Sequence, residues 1–248
     1  MSGPELFLTA RSLPVRHGFT LRRGGVSGGT CSTLDLGPAS GGGEDIRENR
    51  VRLARAAGLD LATLVLAEQV HGAAVVQGIP DGLPEADGLW TESPGHWVGI
   101  RTADCVPLLL SDVDGTRVAA VHSGWRGTEA RIAARAVQVL ERAGSPVARL
   151  RAAIGPCIGA CCYEVSEDLA GRFEALFGNG VVSRPGPKPH LDLRRAVRLS
   201  LLAAGMSDGS IEDVPGCTAC DVAAFFSHRR DKGRTGRHLA FVAPGPLS

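Results

Sequence analysis

The sequence predicts an α+β fold: a single domain spanning residues 1–248, with a mixed, largely antiparallel sheet and flanking helices. Three observations carry this. Asp114-Gly115 lies between the apolar runs 106–110 and 117–121, and Asp-Gly between such runs signals a hairpin, because Gly takes positive φ without steric cost. Strand-like and helix-like segments alternate without a regular βαβ repeat, which argues against an all-parallel sheet. No linker, internal repeat or low-complexity tract divides the chain.

The elements follow in order. Residues 22–43, RRGGVSGGTCSTLDLGPASGGG, form a glycine-rich loop region without the Gly-Lys-Ser/Thr ending of a P-loop. DIRENRVRLARAAG then reads as a helix, with Asp45 as its cap, Ile46, Leu53 and Ala57 among its apolar positions and Gly58 at its end. Strands are expected over 63–66 and 73–77, followed by the hairpin. TEARIAARAVQVLERAG, 128–144, repeats Ile132, Ala136, Val139 and Leu140 at helical spacing. A strand over 149–154, helices over 166–177 and 192–204, and a last strand over 238–243 complete the pattern.

Composition sets the class. The chain has 248 residues, 44% hydrophobic and 21% charged, enough to bury a sizeable core. A net charge of +1 gives no footprint for nucleic acid or a membrane surface. No apolar run approaches the roughly 20 residues of a membrane span. MSGPELFLTARSLPVRHG lacks the basic and apolar regions of a signal peptide. Seven cysteines in a chain of this size fit a reducing compartment better than disulfide staples, so the expected location is the cytoplasm.

The hairpin carries a cysteine near its start and a histidine near its end. Pairing about Asp114-Gly115 sets Cys105 opposite Gly124 and His122 opposite Pro107. Cys105 and His122 then share a face as diagonal neighbours, roughly 7–8 Å apart at Cα. A turn one residue longer would reverse that parity. With His71 of EQVHG, the set is two imidazoles and a thiolate, which suits zinc and leaves a coordination position for water or substrate. The long spacing leaves two other readings open: a buried cysteine with unrelated histidines, or a Cys-His nucleophile pair.

The remaining cysteines are Cys31, Cys157, Cys161 and Cys162, with the latter three in one short turn, and Cys217 and Cys220 in PGCTAC. A structural zinc site would usually show a second C-x-x-C, so Cys157, Cys161, Cys162, Cys217 and Cys220 are expected to be small buried side chains. Arginines cluster as Arg229, Arg230, Arg234 and Arg237, with Arg126 just past His122. Their planar forks suit phosphate or carboxylate, and the near-neutral charge favours a small anion as the ligand. Arg126 and Arg230 are the first candidates to hold it, and Asn49, Arg50, His228 and Arg229 are further substrate-binding candidates. Asp104, beside Cys105, is a candidate acid/base or positioning group, although strand alternation would turn it to the other face. His17, His96 and His190 have no informative neighbours.

HGFTLRRGGVS, ENRVRLARAAG, EQVHGAAV, ADGLWT, RTADCVPLLLSD, AAVHSGWRGT, AAIGPCIGACCYEV, GCTAC and FFSHRRDKGRTGRHLAFV occur, from about residue 17 to 242, in the order seen in the laccase-domain (YfiH-like) family. The chain resembles that family over nearly its whole length. It departs at Ser123, where Ala is commoner, and at His228, where Tyr is commoner; the latter alters the pocket. The resemblance implies an α+β fold with a mixed sheet and a zinc ion bound by the histidine of QVHG, the cysteine of TADC and the histidine of H-x-GWRG, here His71, Cys105 and His122. It implies phosphorolysis of purine nucleosides (adenosine, inosine, guanosine or methylthioadenosine) with inorganic phosphate, and in some members adenosine deamination. Some bacterial members are linked to editing of peptidoglycan precursors, so a hydrolase, amide-cleaving or built on a Cys-His pair, is the alternative; a binding protein with structural zinc is the non-enzymatic one. The laccase label itself does not fit: the chain has seven histidines and no His-x-His pair, and Met1 and Met206 alone could serve as an axial ligand.

Overall fold

The computed structural model describes residues 5–38, 40–80 and 82–246. The first four residues of the stretch read for a leader, and Ala39 of the glycine-rich loop, lie outside the described residues. In chain order the strands are β1 (Phe7–Leu8), β2 (Val15–Thr20), β3 (Leu64–Leu66), β4 (Val75–Gln77), β5 (Gly88–Thr91), β6 (Trp97–Thr102), β7 (Val106–Asp112), β8 (Val118–Ser123), β9 (Leu150–Ile154), β10 (Val182–Ser183), β11 (His190–Leu191), β12 (Ile211–Asp213) and β13 (His238–Pro246). The helices are α1 (Glu44–Ala57), α2 (Trp125–Glu129), α3 (Ile132–Arg142), α4 (Glu167–Phe177) and α5 (Leu193–Ala203). None of the described helices is long and apolar enough to cross a membrane.

The fold is α+β and its pairing is mixed and largely antiparallel, as the sequence predicts, but the strands divide between two main sheets. One runs β1-β2-β13-β6-β3 and the other β12-β9-β7-β8-β5-β4, with β10-β11 as a separate ribbon. The parallel pairs, β3 with β6, β4 with β5 and β12 with β9, lie at sheet edges.

Alternation along the strands explains how the sheets stack. In β7, Leu108 and Leu110 join Val121 of β8 and Ile132, Ala136 and Leu140 of α3 in one apolar cluster. Leu109, one residue out of phase, instead joins Ala120, Val98, Ile100, Phe19 and Val242 in a second cluster between the sheets. Leu53 of α1 packs on Trp97, Leu239 and Phe241 over the outer face of the five-stranded sheet. The central strands therefore have core on both sides, which is why VPLLLSD reads as a near-continuous apolar run. The register pairs Pro107 with His122, as the Asp-Gly turn predicts, and points His122 toward the inter-sheet side at the end of that layer.

Two expectations are corrected. Asp45 lies inside the first turn of α1, where its charge favours the helix dipole, and the N-cap is Gly43. The helix expected over 128–144 is broken into α2 and α3 at Arg131, whose φ of 62° is left-handed. Its guanidinium lies over the Phe177 ring and donates to the Leu176 carbonyl, contacts distant in sequence that apolar periodicity does not report.

His238, at the start of β13, is 5% exposed, and its Nε2 accepts the Phe226 N–H at 2.8 Å. Burial lowers its pKa from 6.5 to about 3, with neighbouring Arg22 adding to the effect. Below pH 6.5 the unfolded chain takes up this proton and the folded chain does not, so stability falls as the pH drops from 6.5 toward 3. His238→Gln retains an acceptor for Phe226 and removes the titration. Denaturant unfolding between pH 7 and 5 should show a smaller loss of stability for the variant, by up to about 1.4 kcal/mol per pH unit; identical slopes would contradict this.

Candidate metal centre

Cys105 stands just ahead of β7, His122 is in β8, and His71 lies in the loop between β3 and β4. One donor atom from each lies within 4.8 Å of the others, so the structure brings together the three residues that the sequence singles out. The His71 and His122 rings meet edge to face with centroids 4.9 Å apart. His122 is 3% exposed, whereas His71 is exposed, so the cluster is buried on one side and open on the other.

The loop carrying His71 is shaped by an aspartate that no ligand or motif pattern in the sequence singles out. Asp87, immediately before β5 and 0% exposed, accepts backbone N–H groups from Val70, His71 and Gly72 at 3.3, 3.0 and 2.6 Å. Its Oδ1 also accepts from His122 Nδ1 at 2.7 Å. That bond holds a proton on Nδ1 and turns Nε2 to the Cys105–His71 side, so a metal that displaces the Nε2 proton meets the tautomer a ligand needs. Burial pushes the Asp87 carboxyl up, but these donors, His122 foremost, hold it below the usual carboxylate range. The signal was present in ADGLWT, where an aspartate precedes a buried strand; nothing in the sequence reports that its partners lie 15 and 35 residues away.

Electrostatics favour thiolate at Cys105. Burial alone would raise its thiol, yet the His122 charge and hydrogen bonds from both imidazoles bring it down to about 6. Burial likewise opposes charge on His122, but Cys105 and Asp87 lift that imidazole to about 9. The donor set fits zinc: a thiolate, two imidazoles, a carboxylate behind one of them and, among the described residues, no fourth His, Cys, Asp or Glu donor within the cluster. Gly124, opposite Cys105, keeps the space clear, since a Cβ there would lie 3.1 Å from Sγ of Cys105 and 3.5 Å from the His71 ring.

The cluster lies in a cleft of 390 Å³ lined also by Glu68, Arg101, Tyr163, His228, Arg229 and Arg237. Asp104 belongs to this wall because it sits outside regular strand, with φ of 91°, and escapes the alternation that would have turned it away. Its carboxylate accepts from Thr218 Oγ1 and from the Arg229 N–H, both at 2.6 Å. With one of these contacts on each oxygen, Asp104 positions the wall.

Four other candidates fall elsewhere. Arg230 pairs with Asp231 and donates to the carbonyls of Thr218 and Phe225. Asn49 is fully buried and ties Val26, Ser27, Thr33 and Asp35 together within the glycine-rich loop. Arg50 donates to the carbonyls of Leu36 and Pro38 and faces a different hollow. Arg126 is exposed and stacks on Trp125 outside the cleft lining. The cleft wall instead carries Arg237, from the same basic run, and Arg101, the first residue of the RTADC motif, whose sequence context gives it no role. Gln69 holds Arg101 by pairing with its backbone N–H and C=O, each at 2.8 Å.

Residues 16–244 match the model of a family described as multi-copper polyphenol oxidoreductase laccase. The chain belongs to this laccase-domain family. It is 41% identical to a protein of Deinococcus radiodurans named purine nucleoside phosphorylase, over 98% of this chain and 94% of that one. The laccase-domain chain also superposes on the crystal structure of YlmD from Geobacillus stearothermophilus with a TM-score of 0.88 and 33% identity, covering 97% and 99% of the two chains. A relative from an unknown prokaryotic organism, named adenosine deaminase RL5, is 35% identical over 91% of this chain and 94% of its own. Despite the family's description, Met206 is buried in the helical core and supplies no axial ligand, and Met1 lies outside the described residues.

Asp87→Asn should weaken metal binding by roughly 10- to 100-fold, since it replaces a buried carboxylate behind a ligating histidine. Competition with a chromophoric chelator measures this. Unchanged affinity in a folded variant would show that Asp87 does not support the site.

Proposed function

We propose that this chain is a zinc-dependent purine nucleoside phosphorylase. The observation that carries the reading is the His71–Cys105–His122 cluster lying in a cleft walled by Arg101, Arg229 and Arg237. The names of the relatives support the reaction class.

His71, Cys105 and His122 would hold the metal. When bound, zinc supplies a Lewis acid that polarises an oxygen or acidifies a water. The arginines bind inorganic phosphate through charge-assisted hydrogen bonds and present it to the ribose C1′. Tyr163, under the Arg229 guanidinium at 5.0 Å, offers a ring face for the purine. Burial pushes its phenol up to about 12, so it remains a hydrogen-bond donor at neutral pH. Phosphate oxygen forms the new bond to C1′ as the bond to the purine nitrogen breaks with its electron pair, and the departing base takes up a proton. His228 stands at the same wall, exposed, and contacts the substrate's outer edge.

Adenosine deamination is the second activity we propose, supported by the name of one relative. Water then replaces phosphate as the nucleophile and adds to the purine carbon that bears the amino group; that carbon–nitrogen bond breaks, the amino group leaves with a proton as ammonia, and inosine is the product.

Purified protein given adenosine should yield adenine and ribose 1-phosphate only when phosphate is present, with both products lost on chelation and in His122→Ala. Arg101→Ala and Arg237→Ala should raise KM for phosphate about tenfold or more, from the loss of one charge-assisted contact each. Metal-loaded protein that turns over no purine nucleoside, or that releases free ribose without phosphate, would overturn the phosphorylase reading.

A further inference from the structure

Four of the five cysteines expected to be buried singly come together at the surface. Cys161 and Cys220 are exposed and Cys162 and Cys217 half-buried; Cys157 alone is buried as expected. The sulfurs of these four converge within 4.8 Å of one another. The nearest pairs are Cys162 with Cys220 at 3.3 Å, Cys161 with Cys220 at 3.5 Å and Cys161 with Cys217 at 3.6 Å.

We infer that Cys161, Cys162, Cys217 and Cys220 form a second metal site, a closed tetrathiolate that holds a structural zinc ion. Zinc–sulfur bonds of about 2.3 Å in a tetrahedron put the sulfurs about 3.8 Å apart, within the range found here. The missing second C-x-x-C is supplied by the adjacent pair Cys161-Cys162, because the turn after β9 folds both sulfurs toward the 217–220 turn. A parallel bridge between Cys157 and Cys217 sets that approach. Gly159 N–H donates to Cys217 Sγ at 3.2 Å, the contact that steadies a ligating thiolate. A Cβ on Gly159 would crowd Cys161 Sγ at 3.1 Å, so glycine lets the backbone lie against the sulfurs.

Four protein ligands leave no open position, which assigns the site to structure. The two segments it joins build the wall of the cleft. Ile158 N–H donates to the Asp104 carbonyl at 2.9 Å, and Thr218 Oγ1 donates to the Asp104 carboxylate at 2.6 Å. Zinc here would lock Asp104 and Tyr163 in place, and the thiols would release their protons to solvent as it binds.

Metal analysis of full-length protein purified under reducing conditions tests this. Wild-type protein should carry two zinc ions per chain, Cys161→Ser/Cys220→Ser one, and His71→Ala/His122→Ala one. Cobalt loaded into the His71→Ala/His122→Ala protein should show the intense charge-transfer absorption of a tetrathiolate. In the wild type, alkylation of Cys161 and Cys220 should be blocked until a chelator removes the metal, and that removal should lower the Tm. A single zinc ion in wild type that is lost in His71→Ala/His122→Ala, alkylation that ignores chelation, or Cys161 and Cys220 recovered in disulfides would each overturn the inference.

Discussion

The buried Asp87 carboxylate is the contact on which the site depends. It sits at the end of the inter-sheet layer, where water cannot compensate its charge, and takes four donors: three consecutive N–H groups of the His71 loop and Nδ1 of His122. A hydrogen bond to a charged group contributes about 1.5–3 kcal/mol. One carboxylate therefore bends the loop that presents His71 and fixes the tautomer of His122. The Asp114-Gly115 turn supplies the third donor by setting the register that brings Cys105 beside His122.

Two side chains at the cleft are held in conformations that cost energy. His71 has φ of 59° and Asp104 φ of 91°, left-handed values that cost a non-glycine residue about 1–3 kcal/mol each. The first is stabilised by Asp87 and the second by Thr218 and Arg229. Arginines divide in the same way between scaffold and site. Arg230 and Arg50 lie off the cleft, donating to carbonyls and, for Arg230, to Asp231, whereas Arg101, Arg229 and Arg237 line the cleft and are braced there by carbonyls of Gly37, Ala67, Glu164, Thr235 and Gly236.

Much of this was legible in the sequence where the cause is local. The hairpin turn, the strand parity and the histidine–cysteine set follow from period-two geometry and ligand chemistry. The α+β class follows from antiparallel pairing around one tight turn. What the sequence hides depends on contacts between distant segments. Apolar periodicity runs through Arg131 and does not show the left-handed residue that splits a helix. Asn49 and Arg230 look like ligand-binding side chains until their carbonyl partners are known. Asp87 and Arg101 look ordinary until the sheets stack. The division into two sheets was likewise invisible, because buried strands of both sheets read as the same apolar run.

The central claim is that Asp87 builds an open three-ligand metal site facing an arginine-lined phosphate pocket. A crystal of the metal-loaded protein soaked with phosphate and a non-cleavable adenosine analogue, with anomalous data collected at the zinc edge, tests it most directly. The account predicts a peak bonded to His71, Cys105 and His122 with one non-protein ligand, and phosphate on Arg101, Arg229 and Arg237. No peak there, a fourth protein ligand, or phosphate bound away from those arginines would contradict it.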